Sequence, residues 1–204
     1  KPLTEGGTMG VPSMSYGDDY PDGEVRFARA ASTLGSMGYK VRMTDDVFPP
    51  VDRFPVDDAT RAAEFMSLVE DDSVDCIVSA RGGDHQEDLL PIVDWDIVSG
   101  NPKWVQGYSD NTTTLLKMTV DCDIATIYAS NFGDFGMEQW HRSISENLEF
   151  LTGRRMTQRS FDFHESGFKD KEVDFKCYSD DEPTRWVSKD TRFKGRLIGG
   201  CMDI

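Results

Sequence analysis

The chain has 204 residues, enough for one sizeable α/β domain, or for one domain and part of another. Its 22 Lys and Arg against 37 Asp and Glu give a formal net charge of −15. That balance argues against nucleic-acid phosphates or an anionic membrane surface as partners and points to a small molecule or a protein.

Cys76, Cys122, Cys177 and Cys201 show no C-x-x-C spacing and have no neighbouring His, so neither a zinc site nor a disulfide framework is expected, and a reducing compartment fits. No apolar run is long enough to span a bilayer, and no leader pattern is present, so the protein is expected in the cytoplasm.

From Thr8 to about residue 130, short apolar runs alternate with longer amphipathic ones, the mark of βαβ units and a mainly parallel sheet. "TMGVPSMS" reads as a first strand running into a loop, and "GEVRFARAASTLGSMG" as a helix ending at a glycine. "YKVRM" is a second strand, followed by a Pro-rich loop over residues 48–55. "DDATRAAEFMSLVED" opens with aspartates suited to a helix N-terminus, and "VDCIVSA" follows as a third strand ending at Arg81-Gly82-Gly83. A short helical stretch to about Val98 leads to a fourth strand over residues 103–107, then a helix after Ser109. "IATIYAS" reads as a fifth strand, and a helix from about Met137 to Leu151 closes this half. The expected fold is a flavodoxin-like or Rossmann-like α/β domain over residues 1–152.

Residues 153–194 are polar, aromatic and charged without sustained period and read as a linker with loops. "GRLIGGCMDI" reads as a new apolar strand lacking a partner, so residues 153–204 are expected to be a linker and the start of an incomplete second domain.

In open parallel sheets, ligands bind beyond the carboxyl ends of the strands. Two loops qualify. In "SARGGDH", two glycines let backbone approach a ligand and turn N–H groups toward negative charge, although for a lone Gly-Gly a tight turn needing positive φ is the commoner explanation. In "GYSDN", Ser109 stands where a strand-to-helix nucleophile stands, but the second glycine of G-x-S-x-G is missing, and taken alone Ser109 reads as a helix cap. "DDYPDG" offers Asp18 and Asp22 like a calcium loop, yet Arg29 falls where a bidentate Glu is required, so calcium is discounted. His85, His141 and His164 lack ligand spacing, and no metal is expected; His85 borders the Gly-Gly loop, whereas His141 reads as a helix-face residue.

Taken together and in order, "ARGG", "LLPIVDWDIVSGNPKWVQGYSDNTTTLL", "TIYASNFGDFGME" and "GRLIGGC" resemble the LD-carboxypeptidase and microcin C immunity family of serine peptidases. The resemblance implies that Ser109 is the nucleophile and that the backbone N–H groups of Asp110 and of Gly82 or Gly83 form the oxyanion hole. It places the triad Glu and His in a second domain, past the motif matched by Gly199-Gly200 and so beyond Ile204. It implies a serine carboxypeptidase-type hydrolase without a cofactor. The substrates it implies are muropeptide tetrapeptides or peptidyl- and aminoacyl-nucleotides, and it implies a homodimer. The 204 residues alone are then expected to be inert, because a serine hydroxyl needs a positioned base. After Gly-Gly the chain departs from the family pattern with Asp84-His85-Gln86-Glu87, which makes Asp84 and His85 candidate substrate contacts and alters the specificity edge. A non-catalytic small-molecule binding module on the same fold is the alternative reading.

Overall fold

Three consecutive strands, β1 (Thr8–Val11), β3 (Val74–Val78) and β4 (Trp104–Gly107), are buried almost throughout, as expected of strands covered on both faces. In the computed structural model, which describes residues 1–15, 23–49, 56–166, 177–185 and 192–202, they form the centre of a five-stranded sheet. With β2 (Lys40–Met43) and β5 (Ile127–Tyr128) at the edges, the order is β2-β1-β3-β4-β5, and every pairing is parallel. This is the flavodoxin-like order. Its crossovers leave β1 toward opposite edges, which puts the switch point, where such sheets bind ligands, at the carboxyl ends of β1 and β3.

Helices cover both faces. On one side, α1 (Gly23–Ser36) and α5 (Arg142–Leu151) bury Phe27, Leu34, Ile144 and Leu148 against Met9, Val11 and Val78. Phe27 meets Phe132 edge-on at 5.2 Å, which fastens α1 to the 3₁₀ turn Phe132–Gly136 that follows β5. On the other side, α2 (Asp58–Glu70), α3 (Trp95–Gly100) and α4 (Thr112–Val120) bury Phe65, Leu68, Val98 and Leu115 against Ile77 and Val105. The expected aspartate cap is present: Asp57 accepts the Thr60 N–H at 2.9 Å.

Four expectations are corrected. The closing helix begins at Arg142 rather than near Met137, because the preceding residues form the 3₁₀ turn and a loop. His141 is not a helix-face residue; it caps α5, its Nδ1 accepting the Ser143 N–H at 3.2 Å. The stretch from 153 onward holds a small antiparallel ribbon, β6 (Phe163–His164) with β7 (Glu182–Pro183). Finally, no strand forms among described residues 192–202, where Leu197 and Ile198 lie 73% and 68% exposed. Asp18 and Asp22 of the discounted calcium loop, and residues 50–55 of the Pro-rich loop, lie outside the described residues. Among the described residues no helix is long and apolar enough to cross a membrane.

Candidate active site

β4 delivers its carboxyl end to a sharp turn. Tyr108 is extended, with φ −144° and ψ 177°, and Ser109 then adopts φ 62°, after which a 3₁₀ turn (Ser109–Asn111) runs into α4. A left-handed φ on a residue with a Cβ costs about 1–3 kcal/mol and survives only where the surroundings dictate it. Ser109 is not a cap: the residue before α4 is Asn111, and no side chain caps that helix. Gly107 has no room for a side chain, because a Cβ there would lie 2.7 Å from Asn111 Cγ. Asn111 occupies the place of the missing second glycine, and its Nδ2 donates to the Tyr108 carbonyl (3.0 Å) and to the Arg81 carbonyl (3.1 Å). One amide thus ties the serine turn to the Gly-Gly loop.

That loop comes up against the serine. A Cβ on Gly82 would stand 3.1 Å from Ser109 Cβ and 3.4 Å from its Oγ. Gly82→Ala is therefore expected to push the serine by a few tenths of an ångström. The expected result is a roughly tenfold or greater loss of turnover with little change in unfolding midpoint, measured by steady-state kinetics beside thermal melts. The four loops at the carboxyl ends are laced together: Ala80 N–H donates to the Pro12 carbonyl (2.9 Å), and Phe132 N–H donates to the Ser79 carbonyl (2.8 Å). Asn131 Oδ1, after β5, accepts the Tyr108 N–H (3.2 Å) and Asn111 Nδ2 (3.2 Å).

Asp110, expected only as a backbone donor, also contributes its carboxylate. Buried Oδ2 accepts the His85 N–H (3.0 Å), the Gln86 N–H (2.9 Å) and the Ser15 hydroxyl. Beneath it lies Arg61, a fully buried cation in α2. Its Nη1 donates to the carbonyls of Met14 (2.7 Å), Ser15 (3.2 Å) and His85 (3.0 Å), and its Nη2 pairs with Asp58 at 2.5 Å. His85 is thus held through its backbone, while its half-exposed ring sits 3.9 Å from Asp88. Asp84 is exposed at the mouth of the loop. Among the described residues no imidazole or carboxylate hydrogen-bonds Ser109 Oγ.

Two tyrosines flank the serine turn near buried Asp134. The Asp134 carboxylate, and then burial, raise the Tyr108 phenol above its ordinary value; for Tyr178 burial comes first and Asp134 second. Both remain neutral hydrogen-bond donors at neutral pH. Arg26 Nη2 lies 3.9 Å from Asp134 Oδ1 on the same flank. On the other flank an open groove of about 780 Å³ runs between α4, β5 and residues 196–200, lined by Leu115, Thr119, Ile124, Tyr128, Ile198 and Gly200.

Comparison with known proteins gives the family. The sequence model of the LD-carboxypeptidase N-terminal domain (peptidase S66) matches residues 10–129. The chain belongs to the LD-carboxypeptidase family. The microcin C7 self-immunity protein MccF of Escherichia coli is 33% identical over 128 residues, which is 62% of this chain and 37% of that protein. A crystal structure of an MccF-like protein from Bacillus anthracis superposes with a TM-score of 0.68 at 25% identity, covering 74% of this chain and 46% of that one. The fold is also that of MccF in complex with aspartyl sulfamoyl adenosine (TM-score 0.70, 24% identity, 98% of this chain and 62% of that one). The chain thus spans under two thirds of the relatives it matches.

Of the candidate residues, Gly82 lies against Ser109, and Asp110 accepts the His85 N–H, with Gly83 adjoining Gly82 and Asp84 exposed beside them. Asn111, Asn131, Arg61 and Thr112, which support them, carry no motif signature; only the burial of an arginine among loop carbonyls reveals the role of Arg61.

Proposed function

We propose that the protein is a serine peptidase of LD-carboxypeptidase type, with Ser109 as nucleophile. Ser109 Oγ attacks the carbonyl of an amide near a peptide C-terminus, and its proton passes to a base. The C–N bond then breaks with protonation of the leaving amine, and water releases the acyl group from the serine. The N–H groups of Asp110 and of Gly82 or Gly83 receive the developing oxyanion, where fixed donors contribute most. Asp84 and His85 contact the substrate at the rim. The base is the Glu–His pair that the family carries in a second domain; residues 1–152 form the nucleophile domain, and residues 153–204 lead into the next.

The observation that carries this reading is a serine held at φ 62° at the end of a central strand, with Gly82 pressed against its side chain. A cap or a surface serine has no need of either feature. Relatives named as a microcin self-immunity protein, and a solved MccF complex with aspartyl sulfamoyl adenosine, support small peptidyl or aminoacyl-nucleotide amides as substrates beside muropeptide tetrapeptides. The test incubates the intact protein with a muropeptide tetrapeptide and, separately, with aspartyl sulfamoyl adenosine, and follows products by mass spectrometry. Release of the terminal D-alanine, or of free aspartate, is the expected result. Saturable binding of either compound with no bond cleaved overturns the reading in favour of a binding module.

A further inference from the structure

A side-chain hydroxyl meets each of the two backbone polar groups of Ser109, whose carbonyl also accepts the Thr112 backbone N–H. Its N–H donates to Tyr128 Oη at 3.2 Å, and its carbonyl accepts the Thr112 hydroxyl at 2.7 Å. The two partners come from different elements, β5 and α4. We infer that Tyr128 and Thr112 are positioning residues that clamp the Ser109 turn in its left-handed conformation, and that residues 199–201 set one arm of the clamp. The inference rests on the reading of Ser109 as nucleophile.

The hydrogen-bond inventory explains the third component. A threonine hydroxyl has one proton to give and lone pairs to accept with. Thr112 spends its proton on the Ser109 carbonyl, and its oxygen accepts the Cys201 N–H at 2.9 Å. Donation by Cys201 fixes which way the hydroxyl proton points. Gly200 lies so close that any Cβ there would overlap the Thr112 side chain, so the backbone of 199–201 is seated directly on the clamp. Tyr128, 47% exposed, lines the same groove as Ile198, Gly199 and Gly200.

The consequence concerns the direction of the Cα–Cβ bond. With φ at 62°, Ser109 presents its side chain to Gly82; if either clamp bond is lost, the turn relaxes toward the right-handed region and the hydroxyl swings away. A misplacement of about 1 Å at a reacting atom costs on the order of a hundredfold in rate. Neither hydroxyl needs to touch substrate for this.

The experiment compares Thr112→Val, Thr112→Ser, Tyr128→Phe, Gly200→Ala and Ser109→Ala in the intact protein, on whichever amide substrate it hydrolyses. Thr112→Val keeps the shape and deletes both hydrogen bonds, and Thr112→Ser keeps them. For Thr112→Val, Tyr128→Phe and Gly200→Ala, kcat is expected to fall roughly tenfold to a hundredfold with KM changed less than about threefold. Thr112→Ser is expected to restore kcat to within about threefold of the parent, and all variants are expected to melt cooperatively. Parent-like kcat in both Thr112→Val and Tyr128→Phe, beside an inactive Ser109→Ala, overturns the clamp and leaves the nucleophile standing. Equal losses in the Val and Ser variants, in proportion to the folded fraction lost, overturn it as well. An active Ser109→Ala overturns the nucleophile reading and, with it, anything for a clamp to hold. Should Thr112→Val fail to fold, Tyr128→Phe carries the test, since it removes one oxygen from an exposed ring.

Discussion

Replacing Ser109 with alanine in the intact protein is expected to lower turnover by roughly four to six orders of magnitude, the scale seen when a serine nucleophile is deleted. Stability should hardly change. Alanine carries the same Cβ and keeps the same cost at φ 62°, and the lost hydroxyl makes no hydrogen bond to an imidazole or carboxylate among the described residues. Ser109→Gly separates the two effects. Glycine relieves about 1–2 kcal/mol of left-handed strain, against about 0.5–1 kcal/mol of extra unfolded-state entropy, so a net gain of up to about 1.5 kcal/mol is expected. An inactive glycine variant that melts at or above the parent would show that the protein holds this serine in a conformation its backbone resists. Turnover surviving in Ser109→Ala would move the chemistry elsewhere, with His85 the first residue to examine. Unfolding in urea beside steady-state kinetics on the same preparations reads both quantities.

What was legible in the sequence is what periodicity encodes. β1, β3 and β4 announce themselves as short apolar runs because both faces are covered, and the intervening helices by their apolar spacing. The Gly-Gly loop and Ser109 lie close together because they follow β3 and β4, which are neighbours in the sheet. Boundaries were less legible where no period exists. "IATIYAS" contributes only Ile127 and Tyr128 to the ladder, being an edge strand, and the β6–β7 ribbon has two-residue strands that carry no pattern at all. "GRLIGG" is apolar enough for a strand, but strands need a neighbour, and among the described residues none pairs with it.

The supporting layer of the site was illegible for a different reason. Asn111 and Asn131 act through hydrogen bonds that reach 20 to 30 residues along the chain, and Thr112 through a bond to the Ser109 carbonyl that any helix-start threonine could make, so none leaves a distinctive local signature. The one signal the sequence carries for this layer is compositional. An arginine inside the apolar repeat of α2 breaks the helix's own pattern, and a buried cation needs several acceptors. The loop carbonyls of Met14, Ser15 and His85 supply them, so Arg61 marks where the loops after β1 and β3 are tied together.

The Asp110 side chain carries the second large effect, one on stability. A single buried oxygen receives two backbone N–H groups and a hydroxyl, from the loop after β3 and the loop after β1. Asp110→Ala removes the acceptor and leaves the His85 and Gln86 amides without it. Bonds to a charged group contribute about 1.5–3 kcal/mol each, and part of that returns if water enters the gap, so a loss of roughly 3–5 kcal/mol is expected. That is a large fraction of the 5–15 kcal/mol a domain commonly has. Asp110→Asn keeps an acceptor oxygen of nearly the same position but gives up the charge and turns an NH₂ toward neighbouring donors, so an intermediate loss of about 1–3 kcal/mol is expected. The backbone N–H proposed for the oxyanion survives in both variants, and this makes the pair informative about function. If residual turnover in Asp110→Asn falls only in step with the folded fraction, the carboxylate serves to build the site. Urea midpoints for the two variants within about 0.5 kcal/mol of the parent would show instead that Ser15, His85 and Gln86 are held by other contacts, and that the loops do not depend on this carboxylate.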